Sequence, residues 1–164
     1  QSAQAGRKAL FALDNLWDGI GGVVASDPSV KYLSGKVTIY SSSSELSRKA
    51  MVYYLDKHFG DRKGLITSKN PETWTEEQAA MFDEMFIGAN YKENYQILNN
   101  YVKSMGDSIP PLIHLYINLS ETMKTFGTTF DPDFGDCYDT AMLITVADIY
   151  KEKYDRYIAS YHNQ

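Results

Sequence analysis

Apolar residues near the start of the chain recur at intervals of three and four, the spacing of one face of a helix. The pattern predicts a helix from about Gly6 to Ala25, ended by an Asp-Pro pair. Its apolar face is formed by Leu10, Leu13, Trp17, Ile20 and Val24. Three glycines at 19, 21 and 22 lie late in this helix, whereas a dinucleotide loop would lie between a strand and a helix start. We therefore expect them to allow close packing of the helix on a sheet.

A short strand and a serine turn follow this helix. The segment from Lys36 to Tyr40 is rich in β-branched and aromatic residues, which predicts a largely buried, central strand. Serines at 41–44 then lead into a helix from Ser43 to His58. Ser42 and Glu45 have the spacing of a capping box, in which each side chain satisfies one free amide at the helix start. We expect a ligand to bind at this turn.

The rest of the chain predicts further helices and one antiparallel hairpin. Thr73 and Glu76 form a second capping-box pair, which opens a helix that ends near Met85. The other predicted elements are a loop over 62–70, helices over 92–105 and 109–119, hairpin strands over 122–130 and 140–149, and a helix over 151–161. The predicted fold class is α/β with a mixed sheet. We expect one domain over 1–164 with a helical insertion over 61–106.

Composition and charge narrow the functional classes. A chain of 164 residues, 43% of them hydrophobic, has the size and apolar content of a single globular domain. Its net charge of -5, without a run of like charges, opposes nucleic acid and anionic surfaces as general partners. Its longest apolar runs are far shorter than the roughly 18 residues that span a membrane. No signal peptide is visible, so we expect a cytoplasmic protein with at most peripheral membrane contact.

Metal and thiol chemistry find little support in the sequence. Aspartates at 131, 133, 136 and 139 suggest calcium, but from Asp131 the sixth position is Asp136 where an EF-hand loop needs glycine. The twelfth position is Met142 where the loop needs glutamate, so a hairpin turn is the better interpretation. The three histidines show no metal-ligand spacing. The single cysteine, Cys137, has no histidine near it in sequence. The sequence predicts no metal site and no disulfide.

Tyrosines and basic residues supply the remaining candidates. Tyr53 and Tyr54 lie on the helix that leaves the serine turn, where a phenol can donate a proton to a leaving group; the alternative is amphipathic packing. Basic residues cluster near the same two helix starts, at Arg7, Lys8, Arg48, Lys49, Lys57, Arg62 and Lys63. They predict either a solvated face or an anion site, because helix N-terminal amides and cations reinforce each other.

Four segments in order resemble one known family. The segments are LWDGIGG, YLSGKVTIYSSSS, IPPLIHLYINL and FDPDFGDCYDTAMLITVADI. Together they resemble the C-terminal half of the branch of the GNAT superfamily that makes N-acyl amino acids. That branch includes the ornithine-lipid and glycine-lipid N-acyltransferases, often called haemolysin-like, and is similar in fold to acyl-homoserine-lactone synthases. The resemblance covers nearly the whole chain apart from the segment between Arg62 and Gly88.

The resemblance implies an enzyme and a donor cleft. It implies transfer of a fatty acyl group from acyl carrier protein, or from acyl-coenzyme A, to the amine of an amino acid such as glycine or ornithine. The acyl-phosphopantetheine donor is a substrate, and no permanently bound cofactor is implied. In the family, the helix near Gly6 follows the fourth strand, and Lys36–Tyr40 corresponds to the fifth. The pantetheine arm lies between those two strands, with the thioester near the serine turn.

The resemblance also assigns roles to individual residues. Tyr54 resembles the tyrosine that protonates the departing thiolate, with Tyr53 as the alternative because the spacing from Tyr54 to Gly60 is longer than usual. By charge complementarity, and not from a family motif, Arg48 and Lys49 are the predicted contact for an acidic carrier protein. The predicted donor-binding residues are Gln4, Gly6, Arg7, Lys8, Tyr40, Ser41, Ser42, Ser43 and Ser44. The family's Gln-x-x-Gly-x-Gly pattern is not intact, which favours carrier protein over coenzyme A.

One departure from the family concerns its first four strands. They would precede Gln1, together with the glutamate and arginine associated with the amine. We therefore expect the chain to be a fragment, a nicked product or one chain of a split domain, inactive alone and partnered by the missing N-terminal part. The alternative function is a catalytically silent GNAT-like module that binds an acyl ligand or a partner chain.

Overall fold

The computed structural model describes the backbone of residues 3–162 and the side chains of residues 11–161. Seven helices and three strands form its regular structure in the described part of the chain, which confirms the predicted mixed α/β class. The helices are α1 Ala3–Ser26, α2 Glu45–Phe59, α3 Glu76–Met85, α4 Tyr91–Ser104, α5 Pro111–Ile117, α6 Lys151–Tyr154 and α7 Ser160–His162. The strands are β1 Tyr32–Tyr40, β2 Lys124–Asp131 and β3 Cys137–Thr145. A π-helical turn, Asp155–Ala159, joins α6 to α7.

The strands form a sheet of order β1-β3-β2. Strands β2 and β3 are antiparallel, with Phe130 opposite Tyr138 and Lys124 opposite Leu143, so the predicted hairpin is confirmed. The register shifts between Thr125 and Thr128, where Gly127 has a positive φ of 80°. The prediction that β1 is the central strand is wrong for the described sheet, because β3 lies between β1 and β2.

The chain divides into two compact units. The first contains the described residues of 1–33, 111–123 and 144–164. In it, Trp17 and Val24 of α1 are buried, and Trp17 meets Tyr116 edge to face at 5.9 Å between ring centroids. The hydroxyl of Tyr157 donates to Asp14 at 2.7 Å, which joins the C-terminal helical segment to α1.

Gly21 explains how closely these two helical segments approach. A Cβ atom at Gly21 would lie 1.8 Å from the carbonyl oxygen of Tyr157. The expectation that the late glycines of α1 allow close packing is confirmed at this position. The expected partner was wrong, because Gly21 packs against the backbone of the C-terminal segment and not against a sheet.

The second unit contains residues 34–110 and 124–143. Helix α2 packs on β2 and on α3 and α4, with Tyr54 and Leu55 fully buried. Strand β1 contributes Val37 and Ile39 to the buried set, and β3 contributes Met142. Buried side chains at alternate strand positions indicate that one face of the sheet meets α2.

Two predicted boundaries need correction in this unit. Helix α3 is capped by Thr75, whose hydroxyl accepts from the amide of Gln78 while the Gln78 side chain returns to the Thr75 amide. A capping box is therefore present, two residues after the predicted pair of Thr73 and Glu76. Helix α2 ends at Phe59, one residue after the predicted His58, and Gly60 caps it. The residues after it run beside β2, where the Asp61 amide donates to the carbonyl of Thr125 at 2.8 Å.

Candidate functional site

The serine turn connects β1 to α2. The amide of Ser43 donates to the carbonyl of Tyr40 at 3.1 Å, which closes the turn. Tyr40 is 64% exposed, and Ser41 and Ser42 are exposed beside it, whereas Ser43 and Ser44 are half-buried. The end of β1 therefore presents one phenol and two hydroxyls to a ligand.

Ser44, and not Ser42, caps helix α2. Its hydroxyl oxygen accepts from the amide of Ser47 at 3.3 Å, and its own amide donates to the carboxylate of Asp107 at 3.0 Å. The Ser44 hydroxyl also lies 2.8 Å from the same carboxylate oxygen. The predicted capping box of Ser42 and Glu45 is wrong, because the cap is set by an aspartate that is remote in sequence.

The cap predicts unequal effects for two serines of the turn. Ser44→Ala removes the acceptor at the helix start and should lower the free energy of unfolding by about 1–2 kcal/mol. Ser42→Ala changes an exposed side chain and should stay within about 0.5 kcal/mol of the unmodified protein. Urea denaturation followed by circular dichroism measures both. Equal losses at the two positions would contradict the assignment of the cap.

A carboxylate of the protein itself lies at the start of α2. The hydroxyls of Ser47 and Ser44 hold the pKa of Asp107 below its usual value, so this group is ionised at neutral pH. Helix N-termini attract anions, and here Asp107 takes that position. A donor phosphate at this point would be repelled, so the turn is better suited to a neutral group such as a thioester.

The residues predicted to face the donor phosphates lie at the beginning of α1. Gln4, Gly6, Arg7 and Lys8 are helical. Their side chains lie outside the described residues, so their contact with a donor stays a prediction.

Tyr54 lies in the interior of the second unit. It has no exposed surface, and its hydroxyl donates to the carbonyl of Tyr91 at 2.8 Å. The rings of His58 and Phe86 lie 4.9 and 5.8 Å from its ring, measured between centroids. Burial raises the pKa of the Tyr54 phenol well above its usual value, so the phenol holds its proton. The structure places this candidate acid against a backbone carbonyl.

Tyr53 lies on a different side of the same helix turn. Its ring meets Trp74 at 4.9 Å and Phe82 at 5.2 Å between centroids. Burial, together with a hydrogen bond to Asp83, raises the pKa of Tyr53 to about 12. Both candidate tyrosines are therefore protonated at neutral pH, and the Tyr54 hydroxyl already has a hydrogen-bond acceptor.

The histidine beside Tyr54 makes the second unit sensitive to acid. The Asn94 side-chain oxygen accepts from the Gly88 amide at 2.8 Å, so the Asn94 amino group must face Nε2 of His58, at 3.2 Å. Nε2 of His58 then accepts a hydrogen bond, which requires the neutral ring. Burial, and to a smaller extent the charge of Lys57, lowers the pKa of His58 from the ordinary 6.5.

Because the folded-state pKa is lowered, the unfolded chain takes up the His58 proton first as the pH falls. The melting temperature should therefore fall as the pH drops below about 6.5, and His58→Gln should flatten this part of the profile. Thermal unfolding at a series of pH values measures it. His114→Gln, at an exposed position, is the matched control. An unchanged profile in His58→Gln would contradict the prediction.

Arg48 and Lys49 are largely covered by the protein. The Arg48 guanidinium carbon lies 4.0 Å above the centroid of the Tyr138 ring, and only 11% of the side chain is exposed. Lys49 pairs with Glu45 at 2.9 Å and bonds the Gln78 side chain at 3.3 Å. Little free charge remains here for an acidic partner, and the carrier-protein contact at these residues stays a prediction.

Two further basic residues of the predicted cluster, Lys57 and Arg62, are also paired. Lys57 bonds Asp83 at 2.6 Å, and Arg62 meets Asp56 at 3.2 Å. The side chains at the start of α1 lie outside the described residues. Among the described residues, these pairs leave no cluster of free cations at the helix start to form the predicted anion site. A solvated, internally paired face is the better description of Lys57 and Arg62.

The sequence did not predict that the carboxylate of Asp139 is buried. Asp139 is 9% exposed and pairs with Lys36, and the hydroxyl of Thr38 donates to it at 2.6 Å. Sequence reasoning considered Asp139 only as a calcium ligand. The alternation of Lys36 and Thr38 with Val37 and Ile39 was a usable signal, since it predicts a polar face on β1.

The acidic segment after β2 is a turn. The side chain of Asp131 accepts from the amide of Asp133 at 3.1 Å, and Gly135 and Asp136 have positive φ angles of 74° and 51°. The hairpin-turn interpretation is confirmed. Within the described ranges, no group of three metal-ligating side chains is assembled. Cys137 is buried in β3, where burial raises the pKa of its thiol.

The whole chain is similar to part of two curated bacterial proteins. It is 45% identical over 165 residues to Glycine N(alpha)-acyltransferase of Phocaeicola vulgatus, covering 100% of this chain and 50% of that protein. It is 44% identical over 164 residues to Glycine N(alpha)-acyltransferase of Bacteroides thetaiotaomicron, covering 98% of this chain and 48% of that protein. The chain thus spans about half the length of these relatives. No family model and no solved structure matches it. Across the described residues, no helix is both long enough and apolar enough to cross a membrane.

Proposed function

We propose that the chain is part of an acyltransferase of the N-acyl amino acid branch of the GNAT superfamily, which transfers a fatty acyl group to the amine of glycine. The observation that carries the proposal is the 45% identity along the whole chain to a protein named for glycine N-acylation. The four motifs in family order support the same branch. Both relatives are named for glycine, which favours glycine over ornithine as the acceptor.

The proposed donor is an acyl group on the phosphopantetheine arm of acyl carrier protein, with acyl-coenzyme A as the second source. The interrupted Gln-x-x-Gly-x-Gly pattern supports this order, and the ionised Asp107 at the start of α2 bears only on the end of the arm that both donors share. It opposes a phosphate close to the turn but does not oppose the neutral amide and thioester groups of the arm. Tyr40, Ser41 and Ser42 are the exposed groups that would meet the thioester.

The proposed chemistry is direct transfer. A deprotonated amine attacks the thioester carbonyl, and backbone amides at a strand end stabilise the oxyanion that forms. The intermediate loses one N–H proton to solvent as it collapses to an amide and a thiolate. The thiolate then takes a proton from an acid, for which Tyr54 and Tyr53 are the candidates. Both phenols are protonated at neutral pH, so either can donate a proton. The acid is the one that contacts the thiolate.

The contacts of Tyr54 predict the result of removing its hydroxyl. Tyr54→Phe should keep turnover within about twofold and lower the free energy of unfolding by about 1 kcal/mol, because one buried hydrogen bond to Tyr91 is lost. Steady-state transfer rates and urea denaturation measure the two effects, with Tyr53→Phe as the matched variant. A drop of about 100-fold or more in either folded variant would assign the proton transfer to that tyrosine.

The function itself is tested with the full-length protein. It should release thiol from acyl-carrier protein or acyl-coenzyme A when glycine is present, and mass spectrometry should detect the N-acylglycine. Reactions with ornithine, with alanine and without amine show whether glycine is preferred. Absence of thiol release with every donor and amine would refute the proposal.

A second candidate is a catalytically silent module that binds an acyl ligand or a partner chain. The observation in its favour is that Tyr54 is buried and bonded to a backbone carbonyl. It predicts saturable binding of acyl-carrier protein without turnover. The transfer assay above separates the two functions.

A further inference from the structure

The segment over 61–70 in the second unit is a surface loop that leaves strand β2 and returns to it. At its start, the Asp61 amide donates to the carbonyl of Thr125 at 2.8 Å. At its end, the Asn70 carbonyl accepts from the Thr129 hydroxyl at 3.0 Å. Both ends of the loop are therefore held on β2, an edge strand of the described sheet.

An aspartate and a glycine shape the first half of this loop. The Asp61 carboxylate accepts from the amide of Leu65 at 2.7 Å and from the amide of Lys63 at 3.1 Å. Gly64, which lies between them, has a positive φ of 66°, a conformation that suits glycine. The hydrogen bond from Leu65 is the main cause that holds the pKa of Asp61 below its usual value. The single carboxylate of the loop is thus engaged by the backbone of the loop itself.

Two neighbouring aliphatic side chains are exposed in the loop. Leu65 is 67% exposed and Ile66 is 57% exposed. A single exposed aliphatic side chain is common on proteins, but here two adjacent ones lie in a loop whose ends are fixed. Contact with an apolar environment outside the second unit would remove this surface from water and gain free energy.

Cations accompany the same aliphatic pair. Lys63 and Lys69 precede and follow it in the loop, Lys124 lies at the start of β2, and all three are exposed. In the part of the chain that the structure describes, no carboxylate lies within ion-pair distance of these three lysines. Arg62, by contrast, is paired with Asp56. The chain as a whole has a net charge of -5, so this excess of positive charge is local.

Exposed aliphatic side chains beside free cations fit the surface of an anionic lipid bilayer. Lysines attract anionic headgroups, and aliphatic side chains enter the boundary between the headgroups and the acyl chains. A stable protein partner needs a contact of roughly 800 Å² on each side, which a loop with two aliphatic side chains does not offer by itself. The net negative charge of the chain repels an anionic surface elsewhere, so this loop is the part that would face it.

We propose that the loop over 61–70 binds the surface of an anionic lipid bilayer. Leu65 and Ile66 enter the bilayer at the level of the headgroups, and the three lysines contact anionic headgroups around them. The binding is reversible and weakened by salt, because it depends on a few exposed charges and on little apolar surface. The inference goes beyond the proposed acyl transfer and does not depend on it.

The test is flotation of the full-length protein with lipid vesicles, without acyl donor or amine. The protein should bind vesicles of mixed phosphatidylcholine and phosphatidylserine and bind pure phosphatidylcholine vesicles at least about tenfold more weakly. Raising the salt concentration from about 0.1 M to about 1 M should weaken binding to the mixed vesicles about tenfold or more, because it shortens the screening length about threefold.

Two double variants test the loop itself. Lys63→Gln with Lys69→Gln should weaken binding to the mixed vesicles about tenfold or more, since each lysine near an anionic surface contributes about fivefold. Leu65→Ser with Ile66→Ser should weaken it to a similar extent. The matched control is Lys103→Gln with Met105→Ser, an exposed cation and an exposed apolar side chain at the end of α4. It should bind as the unmodified protein does.

The outcomes separate a lipid surface from other partners. Equal binding to the two kinds of vesicle, or no binding to either, would overturn the inference, and that comparison needs no variant. Unchanged vesicle binding in either loop variant, with folding checked by circular dichroism, would also overturn it. Loop variants that lose binding to acyl carrier protein but keep binding to vesicles would assign the loop to a protein partner instead. Because no donor or amine is present, none of these results depends on whether the protein transfers an acyl group.

Discussion

Gly21→Ala is expected to lower the free energy of unfolding by about 3 kcal/mol or more, because the added methyl group has no room. The added Cβ would lie 1.8 Å from the carbonyl oxygen of Tyr157 and 2.6 Å from its carbonyl carbon. Both are backbone atoms, so no side chain can rotate to make room. The contact between α1 and the C-terminal segment would have to open, with loss of the packing around Trp17 and Tyr157.

Gly19 supplies the matched control in the same helix. A Cβ at Gly19 would meet nothing within 4 Å, and glycine inside a helix costs roughly 0.5–1 kcal/mol relative to alanine. Gly19→Ala should therefore stabilise the protein by about that amount, while Gly21→Ala destabilises it. Urea denaturation of both variants measures the difference. A loss of less than about 1 kcal/mol in Gly21→Ala would show that the two segments do not pack as closely as described.

These two glycines show where reading of the sequence succeeds and where it stops. The periodicity of Trp17 and Val24 predicts the helix, because an α-helix repeats every 3.6 residues whatever it packs against. Nothing local distinguishes Gly19 from Gly21, since the difference is made by Tyr157, which is more than a hundred residues away. The expected partner was therefore wrong while the expected helix was correct.

The ends of helices and strands show the same contrast between what local residues set and what remote residues set. Helix α2 ends at Phe59, one residue from the predicted His58, because the next residue is a glycine at which a Cβ would lie 2.5 Å from the Asp56 carbonyl oxygen. The start of the same helix is set by Asp107, which bonds Ser44 from another segment, so the choice among four serines was not local. Strand β1 begins at Tyr32, four residues before the predicted Lys36. The residue before this earlier start, Lys31, accepts a hydrogen bond at its carbonyl from the Val146 amide.

Only part of the candidate site could be predicted from the sequence. The serine turn was found from its composition, and the structure confirms that it joins β1 to α2. Arg48 was interpreted as a surface cation, because charged residues are seldom buried, and Glu72 was not singled out at all. Their pairing requires the fold of the segment before α3, which brings Glu72 to within 3.6 Å of Arg48.

The buried pair of Arg48 and Glu72 provides the second large effect. Arg48→Met or Glu72→Leu alone leaves one buried charge without its counter-ion, and each should lower the free energy of unfolding by about 3–5 kcal/mol. The double variant removes both charges and fills the space with apolar groups, so its stability should return to that of the unmodified protein or exceed it. Asp155→Asn, which breaks the exposed pair with Lys151, is the control and should cost less than about 1 kcal/mol.

The stability of the double variant also shows whether the two charges stabilise the fold. If the double variant regains the stability of the unmodified protein, the two charges do not stabilise the fold. If the double variant stays well below the unmodified protein but loses less than the sum of the single losses, the pair itself stabilises the fold. Urea denaturation of the four proteins of the cycle gives the coupling free energy between Arg48 and Glu72, and a value near zero would show that the described pair does not form in solution.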